Sequence, residues 1–268
     1  MIETVSRPLI IAHRGASAAA PENTIAAFRK AIDAGSDGIE FDVRLARDGV
    51  PVVIHDRTLK RTNKVDLAVS DLTSKELAAI DVGNSFAARV KSTGQGVSEN
   101  SSVNIPTLAA ALEFLRDFKG EVFVELKCGL SDLDPLTVAV CDEVRNSRIA
   151  PQVIVKSFRL AVIPRVHAHA PGVRTAALFA PRVPTLLRKR KHLVEIAVEN
   201  GANELSVHYS LATRNLMEKA RTHGIPVTIW TADNPRWVER ARSLGLKAVI
   251  TNHPARLLAR REELTENE

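Results

Sequence analysis

The chain has few of the features that mark specialised classes of protein. Only two of its 268 residues are cysteine, Cys128 and Cys141, and they lie on separate predicted elements without the spacing of metal ligands. We interpret them as free thiols in a reducing cytoplasm. No apolar run approaches the ~18–20 residues that span a bilayer, and the N-terminal segment lacks the apolar stretch of a signal peptide. We therefore expect no transmembrane segment and a cytoplasmic location.

Aromatic residues are also scarce, at 4% of the chain, although the net charge is +6 and the pI is about 9.5. Many basic proteins bind nucleic acid, but here no basic stripe alternates with residues that could stack on bases. The densest basic cluster, RKRKHL at residues 188–193, is typical of a solvated helix face. We therefore expect no nucleic-acid partner, and a mild positive field that favours a small anionic substrate.

Short apolar runs alternate with amphipathic segments along nearly the whole chain. The runs predict eight strands, at residues 9–13, 38–43, 121–127, 153–158, 173–179, 204–209, 226–232 and 247–251. Helical patterns lie between them, at residues 24–34, 108–118, 136–145, 160–170, 187–200, 213–223 and 235–244. This alternation is typical of βαβ units, and eight strands in one chain favour a closed (β/α)₈ TIM barrel. We expect residues 1–268 to form a single domain.

A further short apolar run, at residues 50–55, departs from the alternation. It follows the second strand through the turn RDG, and so short a connection can make a hairpin but cannot return the chain for a parallel strand. We therefore predict an antiparallel strand outside the barrel count. In this register His55 lies at roughly the level of Glu40.

The hairpin belongs to an insertion at about residues 50–105, of which residues 57–105 are too long to be a simple connection. Residues 70–83 have their own helical pattern, with Thr73 as N-cap and Glu76 completing a capping box. We predict that this hairpin-containing insertion caps the C-terminal mouth of the barrel, and that residues 57–105 form a small subdomain. We expect the polar segment at residues 260–268 to be frayed.

Several charged side chains lie at the ends of three consecutive barrel strands. They are His13, Arg14, Glu40, Asp42, Glu125 and Lys127. Because residues two apart in a strand point the same way, each of the pairs 40/42 and 125/127 shares one side of its strand. Unrelated surface salt bridges would explain any single pair. They would not explain the common placement, since barrels of this kind build active sites at the C-terminal ends of their strands.

The types of residue at this mouth indicate chemistry at a phosphate. Three carboxylates without clustered cysteine or histidine ligands suit a hard cation such as Mg²⁺ or Ca²⁺. Arg14 and Lys127 could hold the charge of a phosphate. His13 and His55 could supply a general base and a general acid, because imidazole titrates near neutral pH. This set predicts phosphodiester cleavage.

The chain also resembles the glycerophosphodiester phosphodiesterases over nearly its whole length. The motifs that carry the resemblance are HRG (13–15), PENT (21–24), EFDV (40–43), PVVIHD (51–56), DLTSKEL (71–77), DVGNSF (81–86), IPTL (105–108), VELK (124–127), KSF (156–158), IWTADN (229–234) and VITNHP (249–254). The succession of HRG, PENT, E-x-D and HD is highly specific, although each motif alone is weak. The resemblance implies a TIM barrel whose insertion caps the mouth.

The resemblance implies metal-dependent hydrolysis of a glycerophosphodiester to sn-glycerol 3-phosphate and an alcohol. His13 and His55 would be the acid–base pair. The ligands of one divalent cation, Mg²⁺ or Ca²⁺, would be Glu40, Asp42 and Glu125. The residues around the phosphate and substrate would be Arg14, Lys127, Asn23 and Trp230, with Glu22 and Asn23 bracing the site and Trp230 forming an apolar wall.

Two positions near the mouth depart from the family pattern. Lys156 stands where the family often has Gln, and Asn252 stands where it often has Asp; neither change removes a catalytic group. We interpret His208 as part of the barrel wall or an adjoining loop.

Two alternative functions stay open. A lysophospholipase D-like phosphodiesterase would need an open apolar channel beside the phosphate site. A non-catalytic phosphate-ligand binding protein would usually lack a histidine or metal ligand, and all of them are present here.

Overall fold

The computed structural model describes residues 7–83, 86–87, 103–181 and 192–266. Its strands are β1 (Leu9–His13), β2 (Gly38–Leu45), β3 (Pro51–Val53), β4 (Glu121–Leu126), β5 (Val153–Ser157), β6 (Arg174–Phe179), β7 (Glu204–His208), β8 (Val227–Trp230) and β9 (Ala248–Thr251). The helices in the described ranges are α1 (Ile25–Asp33), α2 (Lys60–Asn63), α3 (Ser74–Ala78), α4 (Leu108–Phe114), α5 (Leu133–Asn146), α6 (Val162–His169), α7 (Leu193–Glu199), α8 (Arg214–Thr222), α9 (Arg236–Leu244) and α10 (Pro254–Glu266). Each predicted strand is present, with ends within two residues of the prediction.

Eight of the strands form a closed parallel barrel. The sheet order is β1-β9-β8-β7-β6-β5-β4-β2-β3, and a parallel pairing of β1 with β2 closes the ring. β3 pairs only with β2 and runs antiparallel to it, so it lies outside the barrel. The predicted TIM-barrel fold is confirmed. Because the barrel strands are all parallel, all their C-terminal ends lie at one mouth.

The helices cover the outside of the barrel. Three of them begin at a threonine whose hydroxyl accepts a backbone N–H of the first turn, at Thr24, Thr107 and Thr213. Their apolar faces pack on the strands in two large buried clusters. A smaller apolar layer fills the barrel interior and consists of Ile11, Phe123, Ile154, Ala176, Ala248 and Ile250. The barrel is therefore a packed core and not a channel.

The predicted hairpin is present between β2 and β3. Val43 pairs with Val53, and the N–H of Ile54 donates to the carbonyl of Asp42. Continued by two residues, this register puts His55 opposite Phe41, next to the level predicted. The hairpin thus returns the chain to the mouth of the barrel.

After β3, the chain forms short elements over the mouth. They are α2, the 3₁₀ helix Val69–Asp71, and α3 with the predicted capping box of Thr73 and Glu76. They enclose a separate apolar cluster that includes Leu59, Val69 and Leu77. Residues 84–85 and 88–102 of the insertion, including part of the DVGNSF motif, lie outside the described residues. The division into one domain with a subdomain at 57–105 stays a prediction.

The prediction of a frayed C-terminal segment is wrong for residues 260–266. They complete α10, in which Arg261 is only 4% exposed and donates hydrogen bonds to the carbonyl of Pro8 and the carboxylate of Asp37. Because these partners lie near the other end of the chain, the local polar pattern gave no indication of the contacts that hold this segment in place. Residues 267–268 lie outside the described part, as do residues 188–191 of the predicted basic helix face.

In the part of the chain that the structure describes, no helix is long and apolar enough to cross a bilayer.

Candidate active site

Three buried carboxylates meet at the mouth of the barrel. Glu40 and Asp42 lie on β2, and Glu125 lies on β4 directly beside Asp42 in the parallel register. One oxygen from each lies within 4.8 Å of the others, and the three residues are at most 5% exposed. The structure therefore brings together the three carboxylates that strand alternation placed on the same side of their strands.

Two of the predicted cations lie against these carboxylates. Lys127 Nζ is 3.2 Å from Asp42 Oδ1 and also forms an ion pair with Glu125. Arg14 Nε is 3.0 Å from Asp42 Oδ2. Both side chains are 15–16% exposed, so they lie between the buried carboxylates and solvent.

Lys156 adds a third cation that is deeper than the other two. It lies on β5 next to Glu125 in the register, and its Nζ is 2.8 Å from Glu40 Oε1. Its side chain is only 2% exposed, and the ammonium also lies 6.0 Å from the Phe123 ring centroid. The sequence showed Lys156 only as a departure from the family pattern; the structure makes it part of the cluster.

The crowding of charge separates the pKa values of the carboxylates. Burial acts to raise the pKa of Asp42, but the positive charge of Lys127 outweighs it and the pKa lies well below its usual value. For Glu40, burial is likewise outweighed by Lys156, and the pKa is lowered. For Glu125, burial prevails over the charge of Lys127 and raises the pKa to about 6. The three carboxylates, although close together, therefore have different pKa values.

The HRG motif turns the chain sharply at the end of β1. Arg14 has a φ of 56°, and its N–H donates to Glu40 Oε2. Gly15 has a φ of 77°, and a Cβ there would lie 2.6 Å from the backbone carbon of Ala27. Only glycine fits this close approach of α1, so the glycine allows His13 and Arg14 to reach the carboxylates.

His13 is held from behind by an amide. Its Nδ1 is 2.7 Å from Asn252 Oδ1. The Asn252 amide nitrogen donates to Asp233, and Ser17 donates to Asn252 Oδ1, so this oxygen is an acceptor and His13 Nδ1 is the donor. Its Nε2 lies 3.9 Å from Glu40 Oε2. Burial lowers the pKa of His13, against the opposing charge of Glu40. The ring therefore presents Nε2 to the site.

His55 is held by a carboxylate instead. Its Nδ1 is 2.7 Å from Asp56 Oδ1, and Asp56 is paired with Arg61. Arg61 also binds Glu22, which in turn pairs with Arg14 over 2.8 Å. Burial lowers the pKa of His55 as it does for the other histidine. A chain of ion pairs thus connects Arg14, next to His13, with Asp56, next to His55.

The two bracing residues of the PENT motif occupy different positions. Glu22 lies between Arg14 and Arg61 at the rim. Asn23 is 4% exposed and uses both ends of its amide on Asp42, donating to Oδ2 and accepting the Asp42 N–H. Asn23 therefore holds a carboxylate in place. A phosphate contact by Asn23 stays a prediction.

Trp230 lies at the end of β8 in an aromatic group beside the mouth. Its ring meets Phe158 edge-on at 5.5 Å and His208 edge-on at 5.6 Å between centroids. His208 Nδ1 bonds to Ser210 at the start of the following 3₁₀ helix. Phe158 is 42% exposed and lies 5.8 Å from Lys127 Nζ, so the aromatic group adjoins the cation cluster.

Sequence reasoning missed several supporting residues. Arg44 Nε donates to the His55 carbonyl and its NH1 group donates to the Lys127 carbonyl, so one side chain ties two parts of the mouth together. The alternation that selected Glu40 and Asp42 continues to Arg44 and could have found it. The partnership of Asn252 with His13 spans 239 positions and has no local signal.

Comparisons with known proteins agree with this geometry. The family model described as "Glycerophosphoryl diester phosphodiesterase family" matches residues 13–256. The chain is 32% identical over 255 residues to a glycerophosphodiester phosphodiesterase of Caldanaerobacter subterraneus subsp. tengcongensis, covering 94% of this chain and 97% of that protein.

Two solved structures share the fold. The glycerophosphodiester phosphodiesterase of Agrobacterium tumefaciens is 27% identical with a TM-score of 0.76, covering 94% of this chain and 99% of the other. An Oleispira antarctica phosphodiesterase, solved with the product sn-glycerol-3-phosphate, is 24% identical with a TM-score of 0.81, covering 96% and 97%. At that identity the second likeness supports the fold alone. From its motifs, its barrel and the match over residues 13–256, this chain belongs to the glycerophosphoryl diester phosphodiesterase family.

Proposed function

We propose that the protein hydrolyses glycerophosphodiesters to sn-glycerol 3-phosphate and an alcohol, with the aid of one divalent cation. The observation that carries the proposal is the cluster of Glu40, Asp42 and Glu125, whose oxygens lie within 4.8 Å of one another near two anchored histidines. The products expected include the compound bound in the Oleispira antarctica structure.

The three carboxylates have the chemistry of a site for a hard cation. All the donors are oxygens, as Mg²⁺ and Ca²⁺ require, and no cysteine lies among them. Each carboxylate has one buried oxygen whose partners in the described structure are lysine ammonium groups alone. Glu40, Asp42 and Glu125 would hold the cation, which would neutralise charge on a phosphoryl oxygen.

The partly exposed cations suit the phosphate itself. Arg14 and Lys127 line the route from solvent to the carboxylates and carry donors that match phosphate oxygens. Arg14 is held by Glu22, so its guanidinium keeps its place when a phosphate arrives. Asn23 would act through Asp42, and Trp230 would provide an apolar wall for the uncharged part of the substrate.

The two histidines would move the protons. In both rings Nδ1 is engaged, by Asn252 for His13 and by Asp56 for His55, so Nε2 is the nitrogen left for the reaction. One ring would accept a proton from the attacking hydroxyl and the other would donate one to the leaving alkoxide. The anchoring of Nδ1 in each ring fixes the orientation of the two rings for these transfers.

The proposal has corollaries for the setting of the enzyme. We take the substrate to be a small molecule and not nucleic acid, and the location to be the cytoplasm. The free cysteines, Cys128 and Cys141, suit that compartment.

One observation favours the lysophospholipase D-like alternative. A cavity of about 260 Å³ lies beside His55 and has apolar walls that include Val53, Ile54, Phe86 and Ile105. Such walls could accept part of an acyl chain. Turnover of lysophosphatidylcholine above that of glycerophosphocholine would establish this alternative as the function.

The direct test is release of glycerol 3-phosphate from a panel of glycerophosphodiesters by the purified protein. We expect turnover with Mg²⁺ or Ca²⁺, loss after treatment with EDTA, and recovery when the metal is restored. Full activity after exhaustive chelation would contradict the metal requirement. Binding of these diesters without turnover under any metal would instead support a non-catalytic ligand-binding protein.

A further inference from the structure

A basic cleft opens from the mouth of the barrel on the side of Lys127. Its volume is about 760 Å³, and its walls come from the end of β2, the loops after β4 and β5, and the 3₁₀ helix of the insertion. Glu125 and Lys127 line this cleft, and they also belong to the group of charged residues at the mouth. A substrate whose phosphate lies at Lys127 would therefore have room to extend into the cleft.

Three arginines of the cleft have no acidic partner. Arg44, Arg57 and Arg159 line it, and within the described part of the chain none of them has a carboxylate oxygen within 4 Å. The carboxylates of Asp42, Asp56 and Asp132 act on Arg44 only from more than 4 Å away, and Arg57 adds a like charge beside it. The cleft thus contains three guanidinium groups that no carboxylate of the described structure contacts directly.

The donors of these arginines are only partly used. Arg159 is half-buried as a whole, but its Nε atom is fully buried and makes no hydrogen bond in the described structure. Arg44 donates from Nε and NH1 to backbone carbonyls, which fixes its guanidinium in the wall. A buried donor without a partner costs free energy, so an anion in the cleft would stabilise it.

Two other cations of the cleft already have acidic partners. Arg47 pairs with Glu76 over 3.0 Å, and Lys127 pairs with Asp42 and Glu125. Asp132 accepts the backbone N–H of Gly129 and keeps its negative charge. Among the cleft residues without an ion pair in the described structure, three arginines therefore outnumber one carboxylate.

We propose that this cleft binds a second anionic group, a phosphate or a carboxylate, carried by the leaving alcohol of the substrate. The inference rests on the proposed function and names its preferred class of substrate. Guanidinium groups match the oxygens of phosphate and carboxylate and hold them through charge-assisted hydrogen bonds. A quaternary ammonium head group would meet three like charges in the same place. The enzyme therefore prefers diesters with an anionic leaving alcohol over choline esters.

The test compares two diesters that differ in one charged group: glycerophosphoglycerol, and the same compound phosphorylated on its leaving glycerol. We expect kcat/KM to be about 10-fold or more higher for the phosphorylated diester, the size of one charge-assisted contact. We expect the preference to shrink at high salt, because the cleft is open to solvent. Glycerophosphocholine should be the poorest substrate of the three.

Variants then locate the preference. Arg159→Gln and Arg57→Gln should each bring the ratio of the two kcat/KM values towards one, and the double variant should remove the preference. Arg116→Gln, which alters an exposed ion pair with Glu113 on another face, should leave the ratio unchanged. Circular dichroism of each variant would check that it is folded.

Three outcomes are distinguishable. If the wild type hydrolyses neither diester, the proposed function itself fails. If it hydrolyses both equally well, or if the preference survives the double variant, the inference about the cleft is wrong while the function stands. If added inorganic phosphate alters turnover of the neutral diester through Arg159 but no preference exists, the cleft binds a free anion and the inference is also overturned.

Discussion

The two ends of the barrel each contain a cluster of carboxylates and cations, yet only one has the makings of an active site. At the amino ends of the strands, Glu121 and Glu204 share Lys247 and Arg174. We call this group the floor cluster, and the group of Glu40, Asp42, Glu125 and their cations the mouth cluster. The Phe123 ring centroid lies 5.7 Å from Lys247 Nζ of the floor cluster and 6.0 Å from Lys156 Nζ of the mouth cluster.

Ion pairing around a buried carboxylate is therefore common to both clusters. The difference is that the mouth cluster aims three carboxylates at one point and has two anchored imidazoles near them, whereas the floor cluster has two carboxylates and no histidine in the described structure. The floor carboxylates are already paired with two cations, and no third carboxylate converges on them in the described structure. What distinguishes the proposed active site is the convergence of donors beside groups that could transfer protons, not the presence of buried charge.

The largest effect should come from the mouth histidines. His13→Ala or His55→Ala removes one of the two proposed proton-transfer groups, so we expect kcat to fall by about 10²–10⁴-fold. Steady-state release of glycerol 3-phosphate, with thermal unfolding as a check on the fold, would measure it. His169→Ala, at the exposed end of α6, is the matched control and should keep full activity. Near-normal turnover in either mouth variant would contradict the acid–base assignment.

The same substitution of lysine at both ends would sharpen the comparison. Lys156→Met leaves Glu40 buried without its ion-pair partner, and both side chains are at most 2% exposed. We expect the free energy of unfolding of the metal-free protein to fall by about 3–5 kcal/mol, the range for breaking a buried pair. Chemical denaturation in EDTA would measure the loss.

Metal binding should respond in the opposite direction. Lys156 holds a positive charge where the cation would lie against Glu40, so its removal should make Mg²⁺ raise the melting temperature of the variant more than that of the wild type. Isothermal titration calorimetry should give a lower Kd for Mg²⁺. Equal Kd values in the two proteins would show that Lys156 does not compete with the cation.

Lys247→Met makes the corresponding change in the floor cluster. It removes the closest cation from Glu204, but Lys247 is 17% exposed and Arg174 remains nearby. We therefore expect a smaller loss of about 2 kcal/mol in the free energy of unfolding. The metal-dependent shift in melting temperature and kcat should match the wild type. A change in Mg²⁺ affinity here would mean that the two ends are coupled through the barrel.

The smallest effect should come from the anchor of His13. Asn252→Ala removes the acceptor of the His13 Nδ1–H but keeps the imidazole itself, so we expect kcat to fall by about 10-fold because the ring is less well oriented. Asn252→Asp restores an acceptor and should recover part of the loss. An unchanged KM with a lower kcat would place the effect on the reaction and not on substrate binding. An unchanged kcat would show that the anchor is dispensable.

Much of the fold could be predicted because its signals are local. Apolar runs and amphipathic periods located each barrel strand, and the short turn after β2 required an antiparallel hairpin. Strand alternation then put Glu40 and Asp42 on the inner side, and parallel strands brought Glu125 to the same mouth. The residue types at that mouth therefore followed from patterns of two to four residues.

Contacts between distant parts of the chain followed no such pattern. Lys156 reaches Glu40 only because β5 adjoins β4 in a particular register, and Asn252 reaches His13 only because the barrel closes. Arg261 looked like a frayed polar end until its partner Asp37, 224 positions away, was known. Periodicity fixes which way a side chain faces along its own strand or helix. The partner it meets depends on sheet order and register, and these are set by packing of the whole chain.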